Sequence, residues 1–192
     1  MRKALGLQPK RLYCWFHLAV TLSATGRATE AAECIDTALS LAASTNDQEE
    51  LSVASSCCQL RAEDALERGD YDGGLMWADK GLWMCENNYS LLWVRARALL
   101  GLDRLDACLD AAEPLLAVDP FGLVHETHSF DQSLFTVDTP GLVGAAHFER
   151  GDDELAENYF AQAASAAQDA SKAIEFNSKA HLARLRPKKT SS

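Results

Sequence analysis

The sequence predicts an all-α protein, an α-solenoid of antiparallel helical hairpins closed by a C-terminal capping helix. Three observations predict it. Apolar residues recur at the i, i+3, i+4, i+7 spacing of amphipathic helices. One helical hairpin is repeated four times along the chain. Two columns of that repeat hold only small side chains, as the crossing of two tightly packed helices requires.

The first hairpin is read from "WFHLAVTLSATGRATEAAECIDTALSLA". Trp15, Leu18, Ala19 and Leu22 form one stripe, Gly26 breaks it, and Ala31, Ile35, Ala38 and Leu39 form the next. The same columns hold Ala62, Ala65, Gly69, Gly74, Ala78, Gly81 and Leu82 in the second hairpin. In the third they hold Ala96, Leu99, Asp103, Cys108, Ala112, Leu115 and Leu116, closed by Pro120. In the fourth they hold Gly144, His147, Gly151, Ala156, Phe160, Ala163 and Ala164. The small columns are therefore Ala19, Ala62, Ala96, Gly144 and Ala31, Gly74, Cys108, Ala156. Bulk at either column would force the axes apart, at about 1–3 kcal/mol.

This pattern resembles the tetratricopeptide repeat, whose period is about 34 residues. The first unit matches best, and Gly69 and Asp103 stand 34 residues apart. Two other intervals are longer, which puts insertions of 9 and 14 residues near 46–54 and 123–136. The expected organisation is a single solenoid over 1–185, with repeats at 12–45, 55–88, 89–122 and 137–168 and a capping helix at 169–185. The tail, 186–192, is expected to be disordered. The opening "MRKALGLQPK" falls in phase with the end of a second helix. It reads either as the last turns of a repeat whose first helix lies upstream, or as a degenerate N-terminal cap. On the capping helix, Ala173, Ile174, Ala180 and Leu185 are expected to face the last repeat. Pro114 predicts a kink near 110–114, and Gly74 and Gly81 weaken the second hairpin.

Composition narrows the function. Apolar residues make up 47% and charged residues 24% of 192, a globular balance. Eighteen Lys and Arg against 28 Asp and Glu give a net charge of −10, which argues against nucleic acid or an anionic membrane as the main partner. The chain lacks an apolar run of spanning length, and its first ten residues lack a signal-peptide core. The six cysteines have no zinc spacing and sit among Ala, Leu and Trp, so they read as small buried hydrophobes in a reducing, cytoplasmic setting. Asn88-Tyr89-Ser90 matches the glycosylation triplet by chance.

Motifs with chemical potential are few. "HETH" at 125–128 spaces its histidines one residue short of the zinc-protease helix. "DYD" at 70–72 follows the repeat turn at Gly69, where an acidic pair is ordinary. Neither a phosphate loop nor a nucleophile elbow is present. The sequence thus predicts no enzyme, no catalytic residue, no metal and no cofactor.

What remains is surface. A solenoid lines its concave groove with the first helix of each hairpin, and helical position assigns Tyr13, Phe16, Val20, Gln59, Glu63, Trp93, Arg97 and Phe148 to it. Aromatics and Arg anchor interfaces, and a peptide fits such a channel; Tyr13, Phe16 and Trp93 could equally pack between repeats. In relatives that clamp a C-terminal carboxylate, Lys and Asn hold it. Here the corresponding positions are Phe16, Val20, Gln59 and Ser90, which implies a different ligand. Trp77, Trp83 and Met84 suggest a second apolar contact.

Two functions fit. The first is a non-catalytic scaffold binding a protein or peptide in the groove. The second rests on a looser resemblance of "FGLVHETHSFDQSLFTVDTPGLVGAAHFERGDDELAENYF" to the helical repeat region that follows the catalytic domain in some bacterial family-2 glycosyltransferases. It implies a C-terminal appendage supporting an upstream catalytic domain. No catalytic residue carries over from it.

Overall fold

The computed structural model of the chain describes residues 12–119 and 131–187, and every element assigned among them is helical. In order they are α1 (Leu12–Ala24), α2 (Ala28–Ala42), α3 (Gln48–Glu67), α4 (Tyr71–Met84), α5 (Tyr89–Gly101) and α6 (Leu105–Leu116). A π-helical turn (Leu134–Asp138) then leads into α7 (Thr139–Arg150), α8 (Asp153–Ala166) and α9 (Ala170–Leu185). The fold is the all-α stack of hairpins read from the sequence.

In each hairpin a turn joins the two helices, and the four turns are built alike. Gly26, Gly69, Asp103 and Gly151 each take a positive φ, of 73°, 75°, 58° and 91°. The next residue's N–H then reaches back to the carbonyl of Leu22, Ala65, Leu99 or His147, at 2.9 Å in every case. This closes a helix end whose last carbonyls would otherwise lack donors. Glycine suits three of these positions because it lacks the Cβ that crowds left-handed backbone. Aspartate is among the few other residues that tolerate it.

The chain divides into two compact units between Leu91 and Leu92, within α5. In the first, α1 pairs with α2 and α3 with α4, and α3 also packs on α1 and α2. Its core gathers Leu12, Leu18, Ala19, Leu22, Ala31, Cys34, Ile35, Ala38, Ala54 and Cys57. The small columns do meet, since a Cβ on Gly74 would stand 3.6 Å from the Ala62 carbonyl. The residues inserted near 46–54 lengthen a helix: Asp47 caps α3, its carboxylate accepting from the N–H groups of Glu49 and Glu50 at 2.9 and 3.0 Å. Asn88, of the glycosylation triplet, is 1% exposed. It donates to Ser55 Oγ at 3.1 Å and accepts from the Leu91 N–H at 3.2 Å, so the fold uses this amide internally.

In the second unit α7 packs on α6 and α8, α9 packs on α8, and the π-helical turn abuts α7 and α8. The core holds Val137, Ala156, Phe160, Ala163, Ala164, Phe176, Ala180 and Ala183. Pro114 lies in the last turn of α6, two residues before its end. The expected facing of α9 is corrected here: Ile174 and Leu185 are 68% and 62% exposed, and Phe176 and Ala183 join Ala180 inside. The Phe176 ring sets this phase, because it fills the space that Gly141 leaves on α7.

Candidate functional site

On α1 of the first unit, Tyr13, Phe16 and Val20 recur at helical spacing with His17 between them. Tyr13 is 59% exposed and meets the His17 ring edge-on, with centroids 4.2 Å apart. Phe16 meets the same imidazole at 5.4 Å and leans partly into the core, while Val20 stays exposed. On α3, Gln59 and Glu63 lie one turn apart, and the Gln59 amide donates to Glu63 Oε1 at 2.9 Å. Burial pushes the Glu63 carboxyl above its ordinary range; the Gln59 bond opposes the rise and the Glu67 charge adds to it. A cleft of about 430 Å³ between the two helices is lined by Leu12, Tyr13, Asp47, Glu49, Glu50 and Val53.

In the second unit, Trp93 is half-buried with its indole Nε1 unbonded. The Arg97 guanidinium lies 5.3 Å from its ring centre, one turn on. Phe148 is occupied on one face. The Arg186 guanidinium lies 3.4 Å from its ring centre and donates to its carbonyl at 2.6 Å, and it pairs with Asp153 at 3.3 Å. The other side of Phe148 borders a cleft of about 290 Å³ with Ala145, Glu149, Phe160, Lys179 and Leu182. The structure thus brings Gln59 to Glu63 and Trp93 to Arg97, and it engages Phe148 with the end of α9.

Of the second apolar group, Met84 packs on the core and Trp77 lies under Lys80, whose Nζ is 4.8 Å from the ring centre. Trp83 is 83% exposed and is joined on α4 by exposed Met76, a residue the sequence reading did not single out. That reading also missed the polar knot at the α7–α8 turn. His147 Nδ1 lies 3.2 Å from Asp152 Oδ2, Arg150 bridges Asp152 and Asp106, and the imidazole stacks on Tyr159. The Arg150 bond, then the His147 bond, holds the Asp152 carboxyl below its usual range. These groups staple a turn, and spacing alone could not have shown it because Asp106 comes from a distant helix.

Asp70 of "DYD" accepts from the Gly73 N–H at 2.9 Å and so caps α4. "HETH" lies outside the described residues. Among the described residues no cluster of His, Cys, Asp and Glu is arranged to hold a metal ion, and no helix is long and apolar enough to cross a membrane. The cysteines are free thiols, four of them buried. Burial raises Cys57 to about 12, and Cys58 and Cys108 to about 11.

Comparison with known proteins agrees with this architecture. Residues 12–45 match the tetratricopeptide repeat family model. A solved structure, "MamA RS-1 ArsTM double mutant", superposes with a TM-score of 0.58 at 15% identity, covering 90% of this chain and 94% of that one. No curated protein matches the sequence. One repeat, residues 12–45, thus matches the tetratricopeptide repeat, three further hairpins turn in the same way, and the all-α fold is shared with that structure.

Proposed function

We propose that this chain is a non-catalytic interaction scaffold that holds a peptide or partner segment on the exposed faces of its first helices. The observation that carries the proposal is the pattern on α1, where Tyr13 and Val20 remain exposed while Leu18, Ala19 and Leu22 of the same helix are buried. An aromatic side chain left in water on a regular helix is a ready anchor for a partner. In the second unit, taken by itself, the Trp93 and Arg97 pair offers an anchor of the residue types that dominate interface energies, and an extended or helical segment fits a helix-lined groove. Neither comparison names a catalytic family.

The test is affinity capture with the full chain and with Tyr13→Ala, Trp93→Ala and Arg97→Ala variants of unchanged helical content. Loss of the captured partner in these variants is the expected result. A partner set unchanged in all three would remove the groove from the account.

A further inference from the structure

Resting on that groove reading, we propose that the occupant of the first unit is an extended basic segment, with one Lys or Arg at Glu63 and another in the cleft beside Tyr13.

The argument begins with charge. The described part of the first unit, residues 12–91, contains four basic side chains, Arg27, Arg61, Arg68 and Lys80, against thirteen Asp and Glu; Arg2, Lys3, Lys10 and Arg11 precede it in the sequence, outside the described residues. The four described ones are already engaged away from this face. Arg27 pairs with Glu30, Arg61 with Asp36, Arg68 with Asp64, and Lys80 lies over Trp77. Glu63 is half-buried in the C-terminal half of α3, and among the described residues its side chain is bonded by the neutral Gln59 amide. A carboxylate withdrawn from water without a cation is costly, and an arriving ammonium or guanidinium relieves that cost. The elevated proton affinity of Glu63 agrees with this geometry.

The aromatic side supplies the second element. Tyr13, His17 and Phe16 form one ring cluster on α1, and ring faces attract cations. The 430 Å³ cleft sets Tyr13 and the apolar Leu12 and Val53 beside Asp47, Glu49 and Glu50. A lysine or arginine fits such a lining, with its methylene stem on the apolar wall and its head among the carboxylates. Glu49 and Glu63 lie fourteen residues apart on α3, which is about 21 Å along a helix. An extended chain covers that distance in about six residues, so the expected occupant carries basic residues about six positions apart.

The probe is a set of fluorescein-labelled degenerate dodecapeptide pools, free of Asp and Glu at their variable positions. Two fixed positions six apart carry Lys, norleucine or Glu. Fluorescence anisotropy with the full chain is expected to show the Lys pool binding at least tenfold more tightly than the norleucine pool. Glu63→Gln and Tyr13→Ala should each reduce that advantage at least fivefold at unchanged helical content by circular dichroism. If Lys binding is insensitive to Glu63→Gln, the attraction is to net charge alone and the inference fails. If all pools bind equally and Val20→Asp abolishes it, the groove stands and the basic occupant falls. If no pool binds the parent chain, both are overturned.

Discussion

In the first unit a glycine that admits its neighbours closely stands on the second helix of a hairpin, Gly81 of α4. In the second unit such glycines stand on the first helix, Gly141 and Gly144 of α7. A Cβ on Gly81 would stand 2.4 Å from Leu91 Cδ1, 2.9 Å from Cys58 Cβ and 3.3 Å from the Ser55 carbonyl. Two of these neighbours cannot swing away, being backbone or fixed to it. A Cβ on Gly144 would stand 2.8 Å from Phe160 Cδ1, and one on Gly141 would stand 2.5 Å from two atoms of Phe176. Those glycines are notches for rings, and Phe160 and Phe176 then stack at 6.3 Å. The first unit thus brings main chain near main chain over Ala and Cys, whereas the second fills the space with aromatics. A small residue at a crossing marks where helices approach, without saying what is admitted there.

The most damaging test of the comparison is Phe160→Ala. It should cost about 3–5 kcal/mol in urea unfolding, as large core truncations do, and a loss below about 1 kcal/mol would deny the aromatic filling of the second unit. Next come Gly81→Ala and Gly144→Ala, each at about 1–3 kcal/mol. Their rescue should differ. Phe160→Leu should recover part of the Gly144→Ala loss because the ring departs, whereas Leu91→Ala should not rescue Gly81→Ala because Cys58 Cβ and the Ser55 carbonyl remain. Equal rescue in both would erase the contrast. Asp103→Gly should stabilise by about 1 kcal/mol, read as a raised Tm, since it relieves a left-handed L-residue; a lowered Tm would show that the aspartate side chain earns its position.

The smallest effect is that of Glu63→Gln. The folded chain holds the Glu63 proton more tightly than the unfolded chain does, with Gln59 and Glu67 as the facing groups. Its contribution therefore favours the fold below the unfolded carboxylate range and is lost as pH rises through the folded value. The variant should melt slightly above the parent at pH 7, with the gap closing toward about pH 4. A gap that widens on acidification would contradict the burial of this carboxylate.

Much of the fold was legible because the repeat constrains each column four times over. Ala19, Ala62, Ala96 and Gly144 are all buried, and the positive φ of Gly26, Gly69, Asp103 and Gly151 falls in the single column that interrupts the stripes. Outside the repeat the phase was ambiguous. Helix α9 carries apolar residues on most of its circumference, and the feature that turns Phe176 inward is Gly141, a glycine on another helix. The same limit applies to the site. The exposure of Tyr13 and the one-turn pairs, Gln59 with Glu63 and Trp93 with Arg97, follow from helical spacing. The clasp of Arg186 on Phe148 joins positions 38 apart through a helix whose facing the sequence did not fix.

The buried sulfur atoms give the molecule a built-in clock. A thiol reacts as its thiolate, and values of about 12 for Cys57 and about 11 for Cys58 and Cys108 leave almost none of that species at neutral pH. Iodoacetamide should label these three positions only at the pace of local opening. Because Cys57 and Cys58 belong to the first unit and Cys108 to the second, mass spectrometry of one sample followed through its alkylation would time the breathing of each half independently.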